Sequence, residues 1–316
     1  MNIHLLEAAS RETFPPASNA TLLTWCREYE QKEGYIMRIH AIQTGTVAVK
    51  TRQVAGVGHG LGRRLATLRD PQWTAPLPIW AWVIEHPEGI IVVDTGETAR
   101  AAEPGYFPRW HPYYRTGVRE WVQPDEEIGP RLRQIGIAPE QVRWLVLTHM
   151  HTDHAGGLAY FPQSEILLSR IEFQQSSGVA GQIRGYLPQH RPTWFAPRLV
   201  DFRDQPIGPF PQSLPLTTAS DVHLVPTPGH TPGHLSVIVQ EADRVVVLAG
   251  DTSYTQDLLL AGVTDGVAID ERADHTTHAR LLALAQQQPT VYLPSHDPDS
   301  AERLANRIPL PIATPA

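Results

Sequence analysis

One cysteine, Cys26, and two lysines, Lys32 and Lys50, are all that the 316 residues contain of those two types. A single thiol excludes an intrachain disulfide and a thiolate metal cage, and leaves Cys26 as a small, partly buried side chain. Arginine therefore carries nearly all the positive charge, and a net charge of −7 speaks against a nucleic-acid-binding surface. No apolar run reaches the ~18 residues of a membrane span. The start, Met1-Asn2-Ile3-His4-Leu5-Leu6-Glu7, lacks the basic residues and long apolar stretch of a signal peptide, so a cytoplasmic protein is expected. Hydrophobic content of 41% and charged content of 19% describe an ordinary globular chain. Residues 1–35 read as an N-terminal extension packing on the body, with a helix over Thr21–Tyr29, and residues 36–316 as a single domain.

What is locally abundant is histidine. Thr148-His149-Met150-His151-Thr152-Asp153-His154-Ala155-Gly156-Gly157 places three imidazoles and a carboxylate within six positions. The apolar run Arg143-Trp144-Leu145-Val146-Leu147 before it reads as a buried strand. Gly156-Gly157 after it lets the backbone turn without steric cost. A strand continued past Leu147 would put His149, His151 and Asp153 on one side and turn His154 away. One loop could then address two neighbouring metal ions, and imidazole with carboxylate suits Zn, Fe, Co or Mn. Exposed loops rarely crowd imidazoles in this way without a metal.

The flanking chain supplies a frame. Ile36–Lys50 reads as the first strands, followed by the turn Gly56-Val57-Gly58-His59-Gly60, with His59 an ordinary surface residue. Ile79–Ile84 and Gly89–Val93 form two strands around a tight turn, ending in Asp94-Thr95-Gly96. Tyr106–Tyr114 packs five aromatic rings into nine positions, and Pro108 and Pro112 argue against a regular helix there. Such a loop lines an apolar cleft or is pinned to the body by its own rings. A helix is expected over Pro124–Gly136, a strand over Glu165–Leu168, and a capping box at Ser169 with Glu172. Ser176–Pro215, with Tyr186, Trp194 and Phe195, reads as a long excursion near the site. Strands return at Val222–Val225, Leu235–Val239, Arg244–Ala249 and Thr290–Leu293, with a helix around Ala279–Leu284.

Polar residues stand at the ends of those later strands: His230 and His234 in Pro226-Thr227-Pro228-Gly229-His230-Thr231-Pro232-Gly233-His234, Asp251 in Gly250-Asp251-Thr252, and His296 in Pro294-Ser295-His296-Asp297. Loops at one edge of a sheet are where active sites gather. Together with His149-Met150-His151-Thr152-Asp153-His154 this order resembles the metallo-β-lactamase superfamily. The resemblance implies an αββα sandwich, an α/β (α+β) fold with two mixed sheets between layers of helices. It implies His149, His151 and His230 on one metal, Asp153, His154 and His296 on the other, and Asp251 bridging them. It makes His234 structural. It places Asp94 near the metals, while a turn residue at a strand end is the alternative for that aspartate.

Asp251-Thr252-Ser253-Tyr254 puts a tyrosine three residues after the bridging aspartate. That spacing resembles the quorum-quenching N-acyl-homoserine lactone lactonases, over about Leu77 to His296. The resemblance implies two divalent ions, Zn first with Fe, Co or Mn as alternatives, and no organic cofactor. A metal-bridging hydroxide is expected to attack the lactone carbonyl, with Tyr254 supporting its oxygen and Asp153 shuttling the proton. Tyr106, Phe107, Trp110, Trp194 and Phe195 are the expected wall of the acyl cleft. The partner is a small-molecule lactone, with no nucleic acid and no membrane, and a homodimer is compatible. A glyoxalase-II-like thioesterase, a phosphotriesterase of the parathion-hydrolase kind and a di-iron redox protein are the competing readings on the same scaffold.

Overall fold

In the computed structural model, which describes residues 37–312, the apolar runs become twelve strands in two sheets. The first has the order β4 (Val118–Trp121), β1 (Arg38–Val49), β2 (Leu77–Glu85), β3 (Ile90–Val93), β5 (Val142–Val146), β6 (Glu165–Ser169), β7 (Arg198–Val200). The second runs β12 (Thr290–Pro294), β11 (Val245–Gly250), β10 (Leu235–Gln240), β9 (Val222–Pro226), β8 (Leu214–Pro215). Both are mixed: in the first sheet β4–β1, β1–β2 and β2–β3 pair antiparallel, while β3–β5, β5–β6 and β6–β7 pair parallel. In the second only β11 and β12 are parallel.

The central strands β2, β3, β5, β10, β11 and β12 are buried on both faces, which is why they read as continuous apolar runs and not as alternation. In β5, Leu145 packs with Ile128 and Leu132 of the helix Ile128–Gln134. In β11, Val245, Val247 and Ala249 pack with Leu281 and Leu284 of the helix Glu271–Gln287. The alternate residues, Trp144 and Val146 in β5 and Val246 and Leu248 in β11, are equally buried but stand outside those helix-backed clusters. The sheets therefore face each other, with helices outside, as an αββα sandwich. Backbone bonds tie the layers at the site's edge: Leu235 N–H donates to Thr148 O at 3.0 Å, and Trp80 N–H to Ser295 O at 2.9 Å. The described residues from Arg38 onward form one compact unit. No helix among them is long and apolar enough to cross a membrane. The expected helix Thr21–Tyr29 and the packing of residues 1–35 lie outside the described residues.

Three local expectations change. The stretch before Lys50 is one twelve-residue strand with a register shift between Gln43 and Thr46, not several strands. Pro112 does not prevent a helix but opens one, Pro112–Thr116, because at the first helical position its missing N–H costs nothing. Ser169 makes no capping bond. Glu172 is instead fully buried and accepts from Met150 N–H at 3.1 Å and Thr231 Oγ1 at 2.7 Å, so it fastens the histidine loop to the His230 loop.

Candidate metal centre and substrate cleft

β5 ends at Val146, so the extended backbone that would have aligned His149, His151 and Asp153 stops short of the histidine loop. His149 and His151 lie on irregular backbone, and Asp153 and His154 lie on the one-turn helix Thr152–Ala155. Gly156 keeps an ordinary right-handed φ, so its small size matters more than its freedom. A Cβ there would come within 2.3 Å of Glu97 Oε1. Gly250, by contrast, has φ +59°, and a Cβ would meet His234 Nε2 at 2.5 Å. It turns β11 sharply enough to aim Asp251 inward.

The four loops bring their polar residues to one place. Ligand atoms of His149, His151 and His230 lie within 4.8 Å of one another, and so do those of Asp153, His154 and His296. Asp251 stands between the groups. Its Oδ2 lies 3.5 Å from His230 Nε2 and 4.0 Å from His149 Nε2, while Oδ1 lies 3.3 Å from His154 Nε2 and 3.5 Å from His296 Nε2. One carboxylate oxygen faces each cluster.

Each inward nitrogen is aimed by what its ring holds on the far side. His154 Nδ1 is 2.8 Å from Asp94 Oδ2, His230 Nδ1 is 2.8 Å from Asp265 Oδ2, and His296 Nδ1 donates to Pro78 O at 2.9 Å. Asp94 also accepts from Thr148 N–H and Oγ1, both at 2.8 Å. It does so from a left-handed backbone at φ +61°, a strained conformation for a non-glycine residue. Such outer partners fix the tautomer and raise the basicity of a ligating ring. Asp94→Asn is expected to weaken cation binding about 10- to 100-fold with the fold retained, measured by titrating the metal-free protein. Unaltered affinity would make Asp94 a turn residue only.

His234 is different. Asp251 N–H donates to its Nε2 at 3.0 Å, so the proton sits on Nδ1 and is given to Thr227 Oγ1 at 2.9 Å. With both nitrogens engaged, His234 supports the backbone of Asp251. His59 is exposed and pairs with Glu271 at 2.9 Å, outside both ligand clusters.

Protonation shows what the site requires. Burial pulls the imidazoles toward neutrality, and His151 falls to about 3, helped by His230. For His230 and His296 burial is outweighed, by Asp265 for the first and Asp251 for the second, and they rise to about 9 and about 10. For His154 the same burial is outweighed by Asp251, Asp94 and Asp153, which hold it well above the usual value. Four carboxylates, of Asp94, Asp153, Asp251 and Asp265, thus draw positive charge into the site. His154 Nε2 and Asp251 Oδ1 are buried without a hydrogen-bond partner among the described residues. Converging lone pairs, missing partners and excess negative charge fit two divalent cations, which would displace those protons.

Above the clusters opens a cavity of about 440 Å³, within the range of small-molecule sites. Its floor is His151, Asp153, His230, Asp251 and His296, and Tyr254 stands beside them with its ring stacked 5.5 Å from that of His296. Val47, Val49, Ile183, Val267 and Ile269 give it an apolar wall.

None of the five expected acyl-cleft residues lines this cavity. Tyr106 is buried, donates to Glu97 Oε1 at 3.0 Å and stacks on His190, while Phe107 stacks on Tyr114. Trp110 and Trp194 are exposed, and Phe195 packs near Phe173. The aromatic loop does reach the site, through its last turn: Tyr113 and Tyr114 line the cavity. The helix opened by Pro112 carries them there. Gln53, Glu120 and Asp265 carried no motif in the sequence; only their neighbours in space make them part of the site.

Residues 74–296 match the family model described as the Metallo-beta-lactamase superfamily. An N-acyl homoserine lactonase of Bacillus cereus is 28% identical over 190 residues, which are 57% of this chain and 66% of the relative. The match thus spans slightly less than two thirds of that relative's length. A structure of an N-acyl homoserine lactone hydrolase, with the product N-hexanoyl-L-homoserine at its catalytic metal centre, superposes with a TM-score of 0.66 at 21% identity, covering 84% of this chain and 94% of the other. A dizinc quorum-quenching lactonase in complex with a product superposes with a TM-score of 0.58 at 16% identity, covering 83% and 88%. At those identities the superpositions establish the fold.

Proposed function

We propose, from the premise that this chain belongs to the metallo-beta-lactamase superfamily, that it is a dinuclear metal-dependent hydrolase opening the lactone ring of N-acyl homoserine lactones. The observation that carries the reading is the cavity floor, where the Tyr254 phenol stands beside an aspartate that faces two ligand clusters at once. The names of the relatives support the substrate class.

Two divalent cations held by His149, His151 and His230 and by Asp153, His154 and His296, with Asp251 between, would polarise the ester carbonyl and make a water acidic near neutral pH. Zinc suits these ligands and is the metal of one structural relative. The chain's own residues supply the rest. The Tyr254 hydroxyl donates to the carbonyl oxygen as negative charge develops on it. Asp153, on the cavity floor, has a carboxylate to carry a proton to the departing alkoxide. The apolar wall takes the acyl chain, each methylene contributing up to ~0.8 kcal/mol.

A pH-indicator assay on the metal-loaded protein should show faster turnover of an N-acyl homoserine lactone than of a thioester, a phosphotriester or a β-lactam. A thioester or phosphotriester turned over faster than the lactone would overturn this assignment. Tyr254→Phe should keep both metals and lower lactone turnover about 5- to 150-fold, from the ~1–3 kcal/mol of a hydrogen bond to a charged group. Full activity in that variant would reduce the tyrosine to packing.

A further inference from the structure

We infer that Tyr113 is a second hydrogen-bond donor to the substrate and that Gln53 positions Tyr113 and Tyr254 as a pair. The inference rests on the lactonase reading. Gln53 is 2% exposed, yet its side chain reaches the cavity, and its Nε2 lies 2.9 Å from the Tyr113 hydroxyl and 2.7 Å from that of Tyr254. One amide nitrogen therefore joins phenols from two distant parts of the chain.

The direction of these bonds follows from counting. An amide NH2 has two hydrogens, one for each phenol oxygen, and this arrangement leaves a single buried acceptor, Gln53 Oε1, without a partner. The reverse orientation would strand two buried N–H donors, the costlier fault. Each phenol oxygen then accepts from Gln53 and keeps its own O–H to give away. No acceptor for either proton exists among the described hydrogen bonds, and both side chains line the cavity.

Gln53 is rigid enough for the task. It belongs to the short helix Thr51–Val54, which Asp70 holds through Thr51 Oγ1 at 2.7 Å and Arg52 N–H at 2.8 Å. Its own carbonyl accepts from Gly266 N–H at 2.7 Å. Tyr254 is the donor whose ring stacks on that of His296, and Tyr113 offers a second proton from the other side of the shared Gln53 nitrogen. The pair fits a lactone with two separated carbonyl oxygens, one in the ring and one in an attached acylamide.

The test compares an N-acyl homoserine lactone with a γ-lactone of equal chain length that lacks the amide. Tyr113→Phe should reduce the wild-type preference for the acylamido lactone about tenfold, and mainly through KM. Gln53→Met should keep both metals but lower kcat about tenfold; in a Tyr254→Phe background it should cost less than threefold, because the two act as a unit. Gln53→Glu keeps the size and both contacts but accepts where the amide donates, so it should fail to rescue. Turnover of the lactones with an unchanged preference in Tyr113→Phe, additive losses in the double variant, or full activity in Gln53→Glu overturns this inference alone. Wild-type protein that opens neither lactone overturns the functional reading and this inference with it.

Discussion

Asp251→Ala is expected to release both cations and lower hydrolysis by at least about 10³-fold. Its two oxygens face the two ligand clusters separately, so one substitution removes a contact from each. Asp251 is also the strongest influence holding His296 and His154 above their ordinary values against burial, so the substitution removes the negative charge that most favours a cation beside those rings. Metal ions supply several kcal/mol of charge stabilisation in such sites, and each 1.36 kcal/mol is tenfold in rate. Metal analysis and turnover should therefore fall together. His234→Ala should be milder, since that ring hydrogen-bonds only to Thr227 Oγ1 and the Asp251 N–H among the described residues and its loss strands one buried donor. An Asp251→Ala protein that retains both metals, or a His234→Ala protein as metal-poor as Asp251→Ala, would refute the assignment of the two roles.

Removing the metals should lower the melting temperature by roughly 10–20 °C. A ligand present at a thousand times its Kd stabilises by ~4.1 kcal/mol, two sites give ~8 kcal/mol, and a large domain shifts by ~2 °C per kcal/mol. The metal-free site is costly in itself, because four carboxylates are gathered among histidines that burial would otherwise leave neutral. Affinity for the cations should rise with pH. His230 and His296, at about 9 and about 10, must give up protons to bind a cation, so acid favours the metal-free form. Identical melting curves with and without chelator would remove the stabilising role of the centre.

The histidine loop was legible because metal ligation demands particular atoms, and His149, His151, Asp153 and His154 fall in one short stretch where their density stands out. His230, Asp251 and His296 were legible as strand-end residues only through their order relative to that loop. The buried strands announced themselves by apolar runs, and the helix Glu271–Gln287 by the periodicity around Ala279–Leu284. A strand buried on both faces must be apolar at nearly every position, so the local signal suffices to find it.

The cleft was not legible. Tyr106, Phe107 and Trp110 carry the aromatic density that suggested a wall, but the helix from Pro112 rotates Tyr113 and Tyr114 inward and leaves Tyr106 bonded to Glu97. Nothing in the order of residues distinguishes a ring that faces a cavity from one that staples a loop. Gln53 shows the same limit more sharply: 201 positions separate it from Tyr254, and no local pattern marks it. Composition and spacing determined which atoms are available to bind metal, since that depends on side-chain chemistry. Which side chains aim those atoms and which wall the cavity was decided by the packing of two sheets, since that depends on long-range contacts that sequence neighbours do not share.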